Sequence, residues 1–321
     1  MSHQVSNLGG RERHYQRLSS FLYWQGELEV GKMTNIKQDV FLIETHNGKK
    51  YILKRHHKMK TVTQQWEFFQ KVNSQHLTPF LSFPNNKEIL IGENGYWTIS
   101  PYRNGRKLYY SNPDDRLKAL RTIQDFHKEA TSIYVNQPIK RKLFYERWYN
   151  RLQRFKQTES LFTSYGYPNL FKDISRHTEY YIIQISKYPW QQYQKQAIND
   201  GNWVHGDVAS HNFILNDEKV WLIDFDLLQN TDQIYDYIQL GQRFLPYINW
   251  DVNQLLAYEM VPDKDVKRWL LSVYIPSDLI REWLFYLSKP SKKPIKEFLK
   301  DVEMQWLKRK IFLKNAKSVI K

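Results

Sequence analysis

The hydrophobic pattern of this sequence changes near residue 103, and that change constrains the fold more than any other feature. Before it, short apolar runs alternate with turn residues, which is typical of antiparallel strands. Two such runs, 40–45 and 50–54, flank the dipeptide Asn47-Gly48, which favours a β-hairpin turn. The first hundred residues are therefore predicted to be mostly strand, with one helix at about 62–72.

Beyond residue 103 the apolar residues recur at helical spacing, as at Leu117, Leu120 and Ile123. The chain has neither an internal repeat nor a long low-complexity linker. A strand-rich front and a helical back predict an α+β protein with two lobes, 1–103 and 104–321.

The composition excludes several classes of protein. The chain has no cysteine, which rules out disulfides, thiolate metal sites and a cysteine nucleophile. Its first residues lack the apolar core of a signal peptide, and no apolar run is long enough to cross a bilayer. We expect a soluble, cytoplasmic protein without a membrane span.

The charge balance is strongly basic, with 48 Lys and Arg against 33 Asp and Glu and a net charge of +15. Such a balance favours contact with phosphates, nucleic acids or anionic surfaces. Six basic residues, interleaved with Tyr149 and Phe155, carry that hypothesis: Arg147, Arg151, Arg154, Lys308, Arg309 and Lys310. The alternative is a solvated helix face, and nucleic acid is not the expected partner.

Polar residues interrupt the strand-like pieces between residues 203 and 226, and they carry the chemistry. His205-Gly206-Asp207 is followed five residues later by Asn212, and Asp224-Phe225-Asp226 begins twelve residues after Asn212. Phosphoryl transfer needs a carboxylate to orient the attacking hydroxyl, and it needs hard oxygen ligands for magnesium. One aspartate, one amide oxygen and a second aspartate meet both needs.

Other interpretations of the same residues stay open from the sequence. Asp and Asn also favour turns, although turn formation does not account for the joint spacing. His205 is expected to be a packed scaffold residue rather than a catalyst. A metal-hydrolase site built on His205, Asp207 and His211 lacks a further well-spaced ligand.

The segments VHGDVASHNFIL and WLIDFD resemble the catalytic and metal-binding segments of the aminoglycoside and choline phosphotransferase family. That family has the fold of the eukaryotic protein kinases. The resemblance implies a two-lobed protein-kinase-like fold, with a small antiparallel nucleotide-binding lobe and a larger helical lobe. It also implies that Asp207 is the catalytic aspartate and that Asn212 and Asp224 bind Mg²⁺.

The front half holds a candidate for the nucleotide-binding lysine. Tyr51-Ile52-Leu53-Lys54 resembles the corresponding kinase strand, on which Ile52 would line the adenine pocket and Lys54 would reach the phosphates. Glu67, on the following helix, is the expected ion-pair partner of Lys54. In isolation, Lys54 is equally compatible with an ordinary strand lysine and Glu67 with a solvated helix residue.

Two further nucleotide contacts are expected on weaker patterns. No glycine-rich loop is present, and only Gly31 lies in the predicted phosphate loop, 30–35. The segment that grips adenine through its backbone is predicted at Ser100 to Tyr102, directly before the change of lobe.

The resemblance implies an ATP- and Mg²⁺-dependent enzyme that phosphorylates a hydroxyl of a small-molecule acceptor. Relatives with cationic substrates use acidic patches. Here Asp232, Asp236 and Glu259 are candidates for such a patch, although Asp236 is also a candidate structural anchor.

Three segments resemble the spore-coat kinase-like group, the CotS type: YILKRH, residues 123–127 and residues 234–237. That narrower resemblance implies deposition on the spore coat and coat proteins as partners. It also keeps open an alternative function, a catalytically weak or inactive kinase-like protein that serves as a structural or binding component.

Overall fold

The computed structural model describes residues 2–92, 94–289 and 293–320, with side chains between residues 12 and 315. The chain forms two compact units. The strand-rich unit extends to Lys107 and also contains 133–139 and 213–226. The helical unit contains 108–132, 140–212 and the chain from Leu227 onward. The division of the chain into 1–103 and 104–321 remains a prediction about its domains. That division is a single cut along the chain, whereas each compact unit contains several separate segments.

The strands and helices follow in chain order. The strands are β1 (Lys32–Lys37), β2 (Val40–Glu44), β3 (Lys50–His56), β4 (Leu90–Gly92), β5 (Gly95–Pro101), β6 (Arg106–Lys107), β7 (Trp203–Val204), β8 (Phe213–Asn216), β9 (Lys219–Leu222) and β10 (Gln229–Asn230). The helices are α1 (Ser2–Gly26), α2 (Met59–Lys71), α3 (Pro113–Glu129), α4 (Phe144–Lys156), α5 (Glu159–Ser164), α6 (Pro168–Ser186), α7 (Trp190–Asn199), α8 (Ile234–Phe244), α9 (Val252–Leu256), α10 (Asp263–Val273), α11 (Ser277–Ser288) and α12 (Ile295–Ile320). The α+β class predicted from the sequence is confirmed.

The strand-rich unit is built on an antiparallel sheet in the order β1-β2-β3-β5-β4. Val40 pairs with Lys54 and Glu44 with Lys50, so the predicted hairpin is confirmed. Gly48 in its turn has a φ of 78°, a conformation that favours glycine. A second sheet of the same unit has the order β6-β8-β9; Asn212 directly precedes β8 and Asp224 follows β9 in the chain.

Helix α1 was not predicted, and the expectation that the first hundred residues are mostly strand is wrong for this part. Leu18 and Leu22, four residues apart on one helix face, are buried in the core of the strand-rich unit. They pack there with strand residues such as Phe41, Leu53 and Trp97. The helix therefore covers one face of the sheet, because an uncovered apolar face would stay in water.

The segment predicted as a phosphate loop is a strand. Residues 32–37 form β1, and the N–H of Gly31 donates to the carbonyl oxygen of Glu44 at 2.9 Å. The turn between β1 and β2 lies at residues 38–39 instead, where Asp39 has a φ of 66°. The loop was predicted in the wrong place because Gly31 was taken as its signal. Asp39 forms the turn instead, since Asp also tolerates a positive φ.

The helical unit has its core among large aromatic side chains. Helix α3 begins at Pro113, and the side chain of Asn112 caps it by accepting from the N–H of Asp114 at 2.8 Å. Trp203, Trp269 and Trp283 are among the largest fully buried side chains. The predicted break at 288–294 separates α11 from α12, although its residues 290–292 lie outside the described part. Among the described helices, none is long and apolar enough to cross a membrane.

Candidate active site

Lys54 lies at the centre of a charge cluster in the strand-rich unit. Its Nζ is 2.7 Å from Asp224 Oδ1 and 2.7 Å from Asp226 Oδ2. Lys37 Nζ, on β1, lies 2.9 Å from the other oxygen of Asp224. Strand β3 and the segment after β9 thus bring together two residues that the sequence singled out, Lys54 and Asp224.

The electrostatics of this cluster keep Asp224 ionised. Burial opposes ionisation, but the ammonium groups of Lys54 and Lys37 more than offset it and hold the pKa of Asp224 below its usual value. Burial likewise opposes the charge on Lys54, and Asp224 and Asp226 reverse that effect and raise its pKa. Asp224 has a φ of 65°, a left-handed conformation that Asp adopts more readily than most residues.

The predicted ion pair between Lys54 and Glu67 is absent from the described structure. Glu67 Oε2 accepts instead from the backbone N–H of Asn136 at 2.7 Å. Glu67 lies on α2, where it fixes the segment 133–139 of the same unit, and Lys54 has its counter-charges on Asp224 and Asp226. The sequence could not show this alternative, because the partner of Glu67 is a backbone group 69 residues away.

The other predicted nucleotide contacts lie on β3 and at the end of β5. Ile52 pairs with Ser100 and Lys54 with Thr98 across these strands. The N–H of Tyr102 donates to the carbonyl oxygen of Lys50 at 3.2 Å, and the Tyr102 side chain is exposed. Ile52 and Ser100 are therefore neighbours in the sheet, and Tyr102 directly follows β5. Gly31 precedes β1, and its N–H is already bonded.

Asp207 lies in the helical unit, on a loop between β7 and a short 3₁₀ turn, 210–212. Helix α8 holds this loop through one face. Asp236 accepts from the N–H of His205 at 2.8 Å and of Gly206 at 2.9 Å, and Gln239 donates to the carbonyl oxygen of Gly206 at 2.9 Å. Arg243 Nη2 completes the set at 2.7 Å from Asp207 Oδ1.

Sequence reasoning missed Arg243 and Gln239. The signal was available: residues three and seven positions after Asp236 share its face of a helix. The sequence pattern does not show that this helix face contacts the Asp207 loop. The expectation that Asp236 is a structural anchor is confirmed, since its side chain is fully buried and accepts two backbone N–H groups.

The Asp207 loop has further local supports. Gly206 has a φ of 82°, and a Cβ at this position would lie 2.3 Å from the carbonyl oxygen of Leu227. His205 is buried and its Nδ1 accepts from the N–H of Asp207 at 3.2 Å, which confirms the scaffold role expected for it. Asn212 Nδ2 donates to the carbonyl oxygen of Asp207 at 2.9 Å, which leaves the amide oxygen of Asn212 as an acceptor.

A cavity of about 730 Å³ in the helical unit is lined by Asp207 and by side chains of α4, α8, α11 and α12. Its volume suits a drug-sized ligand. Gly206, Ser210 and His211 line it beside Asp207. The carboxylate that the sequence assigned to the attacking hydroxyl is thus part of the wall of a ligand-sized cavity.

The sequence model of the phosphotransferase enzyme family matches residues 35–270, which is most of the chain and includes Lys54, Asp207, Asn212 and Asp224. The chain belongs to this phosphotransferase family. The resemblance to a phosphotransferase family inferred from the motifs is thereby confirmed. The match does not distinguish the spore-coat group, which stays a prediction. No curated protein sequence matches the chain.

Solved structures of phosphotransferases share the fold. An aminoglycoside phosphotransferase from Alicyclobacillus acidocaldarius matches with a TM-score of 0.69 at 16% identity, over 92% of this chain and 94% of that one. Spectinomycin phosphotransferase, solved with ADP and spectinomycin, gives 0.61 at 12% identity and covers 93% of both chains. Amicoumacin kinase, solved with AMP-PNP and Ca²⁺, gives 0.62 at 14% identity over 98% and 96%. The protein-kinase-like fold predicted from the sequence is confirmed.

The three carboxylates that the sequence suggested for an acidic patch, Asp232, Asp236 and Glu259, do not form one in the described part of the chain. Asp236 is buried beneath the Asp207 loop, and Asp232 pairs with Arg268 at 2.7 Å. Glu259 is an exposed residue beyond α9. The three carboxylates are therefore not one surface for a cationic substrate, because two of them already have internal partners.

The predicted basic stripe does not form one solvated face either. Arg147, Arg151, Lys308 and Arg309 line the cavity of the phosphotransferase. Arg309 is buried and pairs with Asp278, whereas Lys310 pairs with Asp173 at 2.8 Å. Residues from α4 and α12 that were grouped as a nucleic-acid surface thus mostly surround a small-molecule cavity.

The donor atoms of Asn212 and Asp224 suit magnesium. Both offer oxygen, the ligand type that Mg²⁺ prefers, and Asp224 attracts the two ammonium groups of Lys54 and Lys37. Across the described residues, no group of three or more His, Asp or Glu side chains could hold a metal. A site of the phosphotransferase kind fits this finding, because Mg²⁺ there uses few protein ligands and completes its shell with phosphate oxygens and water. The metal-hydrolase interpretation does not fit it.

Proposed function

We propose that the protein is an ATP- and Mg²⁺-dependent phosphotransferase that moves the γ-phosphate of ATP to a hydroxyl of a small molecule. The observation that carries this proposal is the position of Asp207. Asp236 and Gln239 of α8 hold the backbone of its loop by hydrogen bonds, and its carboxylate lines a cavity of about 730 Å³. Rigid support of a reacting group is what positioning catalysis requires.

In the proposed reaction, Asp207 accepts a hydrogen bond from the acceptor hydroxyl and orients its oxygen towards the γ-phosphorus. The new P–O bond forms as the bond from the γ-phosphorus to the β–γ bridging oxygen breaks, and ADP leaves with that electron pair. The hydroxyl proton passes to the Asp207 carboxylate and then to solvent. Arg243, paired with the same carboxylate, fixes its orientation in the resting protein.

We assign the nucleotide contacts to the residues singled out by the motifs. Lys54 binds the α- and β-phosphates, and Asn212 and Asp224 hold Mg²⁺, which when bound neutralises charge on the phosphates. Support comes from the ionised state of Asp224 and from the nucleotide-bound forms of the matched phosphotransferases. Ile52, Ser100 and Tyr102 are proposed for the adenine side. Gly31 and Glu67 are weaker proposals, because each already uses its polar group within the fold.

The test measures ADP formation with Mg²⁺ and ATP, in the presence and absence of an acceptor mixture of hydroxylated small molecules. Wild type is compared with Asp207→Asn, which keeps the shape of the side chain and removes its basicity. We expect acceptor-dependent turnover to fall at least 10³-fold, a typical loss for a reacting group. Asp217→Asn, the same change in the exposed β8–β9 turn, is the matched control and should retain activity.

Equal turnover in Asp207→Asn and wild type would remove Asp207 from the mechanism. A wild type that binds Mg²⁺ and ATP in a thermal melt but never turns over would favour the alternative function, a kinase-like binding protein such as a spore-coat component. Cytoplasmic location and coat deposition remain predictions that localisation of the tagged chain would test.

A further inference from the structure

The cavity beside Asp207 carries a surplus of positive charge. Its wall contains three carboxylates and six basic side chains: Arg147, Arg151, Arg243, Arg281, Lys308 and Arg309. Two of the arginines are neutralised, Arg243 by Asp207 and Arg309 by Asp278. The described residues supply no ion-pair partner for Arg147, Arg151, Arg281 or Lys308, so most of the surplus faces the cavity.

Arg309 is a buried part of this wall, held in place by other side chains. Its side chain is only 3% exposed, and its Nη2 donates to both oxygens of Asp278, at 2.9 and 2.7 Å. Its Nε and Nη1 are buried without a hydrogen-bond partner among the described residues. Trp250 lies against the guanidinium, 4.9 Å from it. Buried donors without partners are costly, and an acceptor that reaches them recovers that cost.

Arg151, on another helix of the cavity wall, is likewise held in place by the protein. It is half-buried on α4, and its Nη1 donates to the carbonyl oxygen of Ser277 at 3.1 Å. Burial and the neighbouring charges of Arg281, Arg147 and Arg154 lower the pKa of its guanidinium. Like charges held together destabilise the unliganded protein, and a bound anion would remove that repulsion.

We propose that the acceptor is an anionic hydroxyl compound, a small molecule that carries a phosphate or carboxylate group beside the hydroxyl to be phosphorylated. This inference rests on the proposed function for the transfer itself. The anionic group binds the arginines of α4, α11 and α12, since guanidinium forks match phosphate and carboxylate oxygens. The hydroxyl then faces Asp207, where a second anionic group would be repelled. A cationic acceptor would meet the surplus charge without compensation.

The experiment uses one sugar scaffold whose charge is varied. Glucose, glucosamine, glucuronate and glucose 6-phosphate are each added at millimolar concentration to the full chain, with inorganic phosphate as a scaffold-free probe. The midpoint of thermal unfolding is measured at low salt. We expect stabilisation by glucose 6-phosphate, glucuronate or both, and none by glucosamine. Stabilisation by inorganic phosphate alone would show that the site recognises a phosphate group rather than a carboxylate.

Four variants locate the site. Arg151→Gln and Arg281→Gln should each weaken the anion response at least tenfold in apparent dissociation constant; Arg281 is exposed, so its variant is not expected to disturb folding. Arg154→Gln removes one charge from an exposed position of the same helix outside the cavity wall, and should leave the response unchanged. Lys54→Met removes the nucleotide-site lysine and should also leave it unchanged.

The outcomes separate this inference from the proposed function. Loss of the anion response in Lys54→Met, its retention in both arginine variants, or equal stabilisation by glucosamine would overturn the anionic acceptor. The absence of any anion response would do the same. A parallel melt with Mg²⁺ and ATP tests the nucleotide site: a protein that responds to the anions but not to the nucleotide refutes the proposed function and keeps the anion site.

Discussion

Two aspartates of this phosphotransferase have hydrogen-bond partners of opposite kinds. Asp224, in the strand-rich unit, bonds to the ammonium groups of Lys54 and Lys37, at 2.7 and 2.9 Å. Asp236, in the helical unit, bonds to two backbone N–H groups and to Nε2 of His127 at 3.1 Å. The Asp224 side chain is 23% exposed, whereas Asp236 is fully buried.

The difference separates exchangeable partners from permanent ones. Lysine ammonium groups lie at the ends of flexible side chains, and a metal cation or phosphate can displace them without moving the backbone. Backbone N–H groups of a tight loop have no such freedom, and removing their acceptor leaves them buried without a partner. We therefore expect mutations at Asp236 to affect folding and mutations at Asp224 to affect ligand binding.

The largest effect on stability is expected for Asp236→Ala. This change leaves the buried N–H groups of His205 and Gly206 without an acceptor and His127 without its carboxylate partner. We expect it to lower the free energy of unfolding by about 4 kcal/mol. Denaturant titration measures it. The matched control is Asp125→Ala, which removes a half-exposed carboxylate 3.6 Å from Lys128 on α3 and should cost less than about 1 kcal/mol. Equal costs for the two variants would contradict the anchoring role.

Gly206→Ala should be next in size, because it disturbs the same loop sterically. Ala at a φ of 82° is strained, and its Cβ would meet the carbonyl oxygen of Leu227 at 2.3 Å. Gly166→Ala is the control, since Gly166 has a φ of 86° with no atom within 4 Å of the added carbon. We expect Gly206→Ala to cost roughly 2 kcal/mol more than the control in the free energy of unfolding. A difference near zero would mean that the loop moves to make room.

The charge cluster around Lys54 should make stability depend on pH. Burial and the nearby charge of Lys54 lower the pKa of His56 to about 4, while an unfolded histidine titrates near 6.5. Between these values the unfolded chain binds a proton that the folded chain does not. The free energy of unfolding should therefore fall as pH decreases from 6.5 towards 4, by at most about 3 kcal/mol.

His56→Gln removes this titration while keeping a nitrogen in place for Thr98, whose hydroxyl lies 2.9 Å from Nε2 of His56. The variant should show a flatter pH profile across that window in denaturant titrations. His46→Gln changes an exposed histidine and should keep the slope of wild type. If both variants retain the slope, another group causes it.

The same contrast explains what the sequence could and could not predict. Local signals were sufficient for the hairpin of β2 and β3, because Asn47-Gly48 fixes its turn and the apolar runs fix its register. The order and spacing of Asp207, Asn212 and Asp224 were sufficient for the family. Both kinds of signal lie within a short stretch of chain.

The errors concern partners that are distant in sequence. Nothing near Glu67 shows that it bonds to the backbone of Asn136 rather than to Lys54. Helix α1 was missed because its apolar residues, such as Leu18 and Leu22, are few and become a core face only against the sheet. The cationic cavity could not be predicted because α4 contributes to the same wall as α11 and α12, which lie more than 100 residues further along the chain. The amino-acid composition showed a surplus of positive charge but not where in the fold that charge lies.

Asp224→Asn should have the smallest effect on stability and the clearest effect on binding. Asn tolerates the φ of 65° at this position and keeps the shape of the side chain, while Asp226 remains to pair with Lys54 at 2.7 Å. We expect the free energy of unfolding to change by less than about 1 kcal/mol, since the ion pairs involved are partly exposed. The rise in melting temperature caused by Mg²⁺ and ATP should nevertheless be lost, because the amide carries no charge for the metal. Asp217→Asn should keep that rise. An Asp224→Asn protein that responds to the nucleotide like wild type would show that its partners are permanent, as those of Asp236 are, and would remove the distinction between the two aspartates.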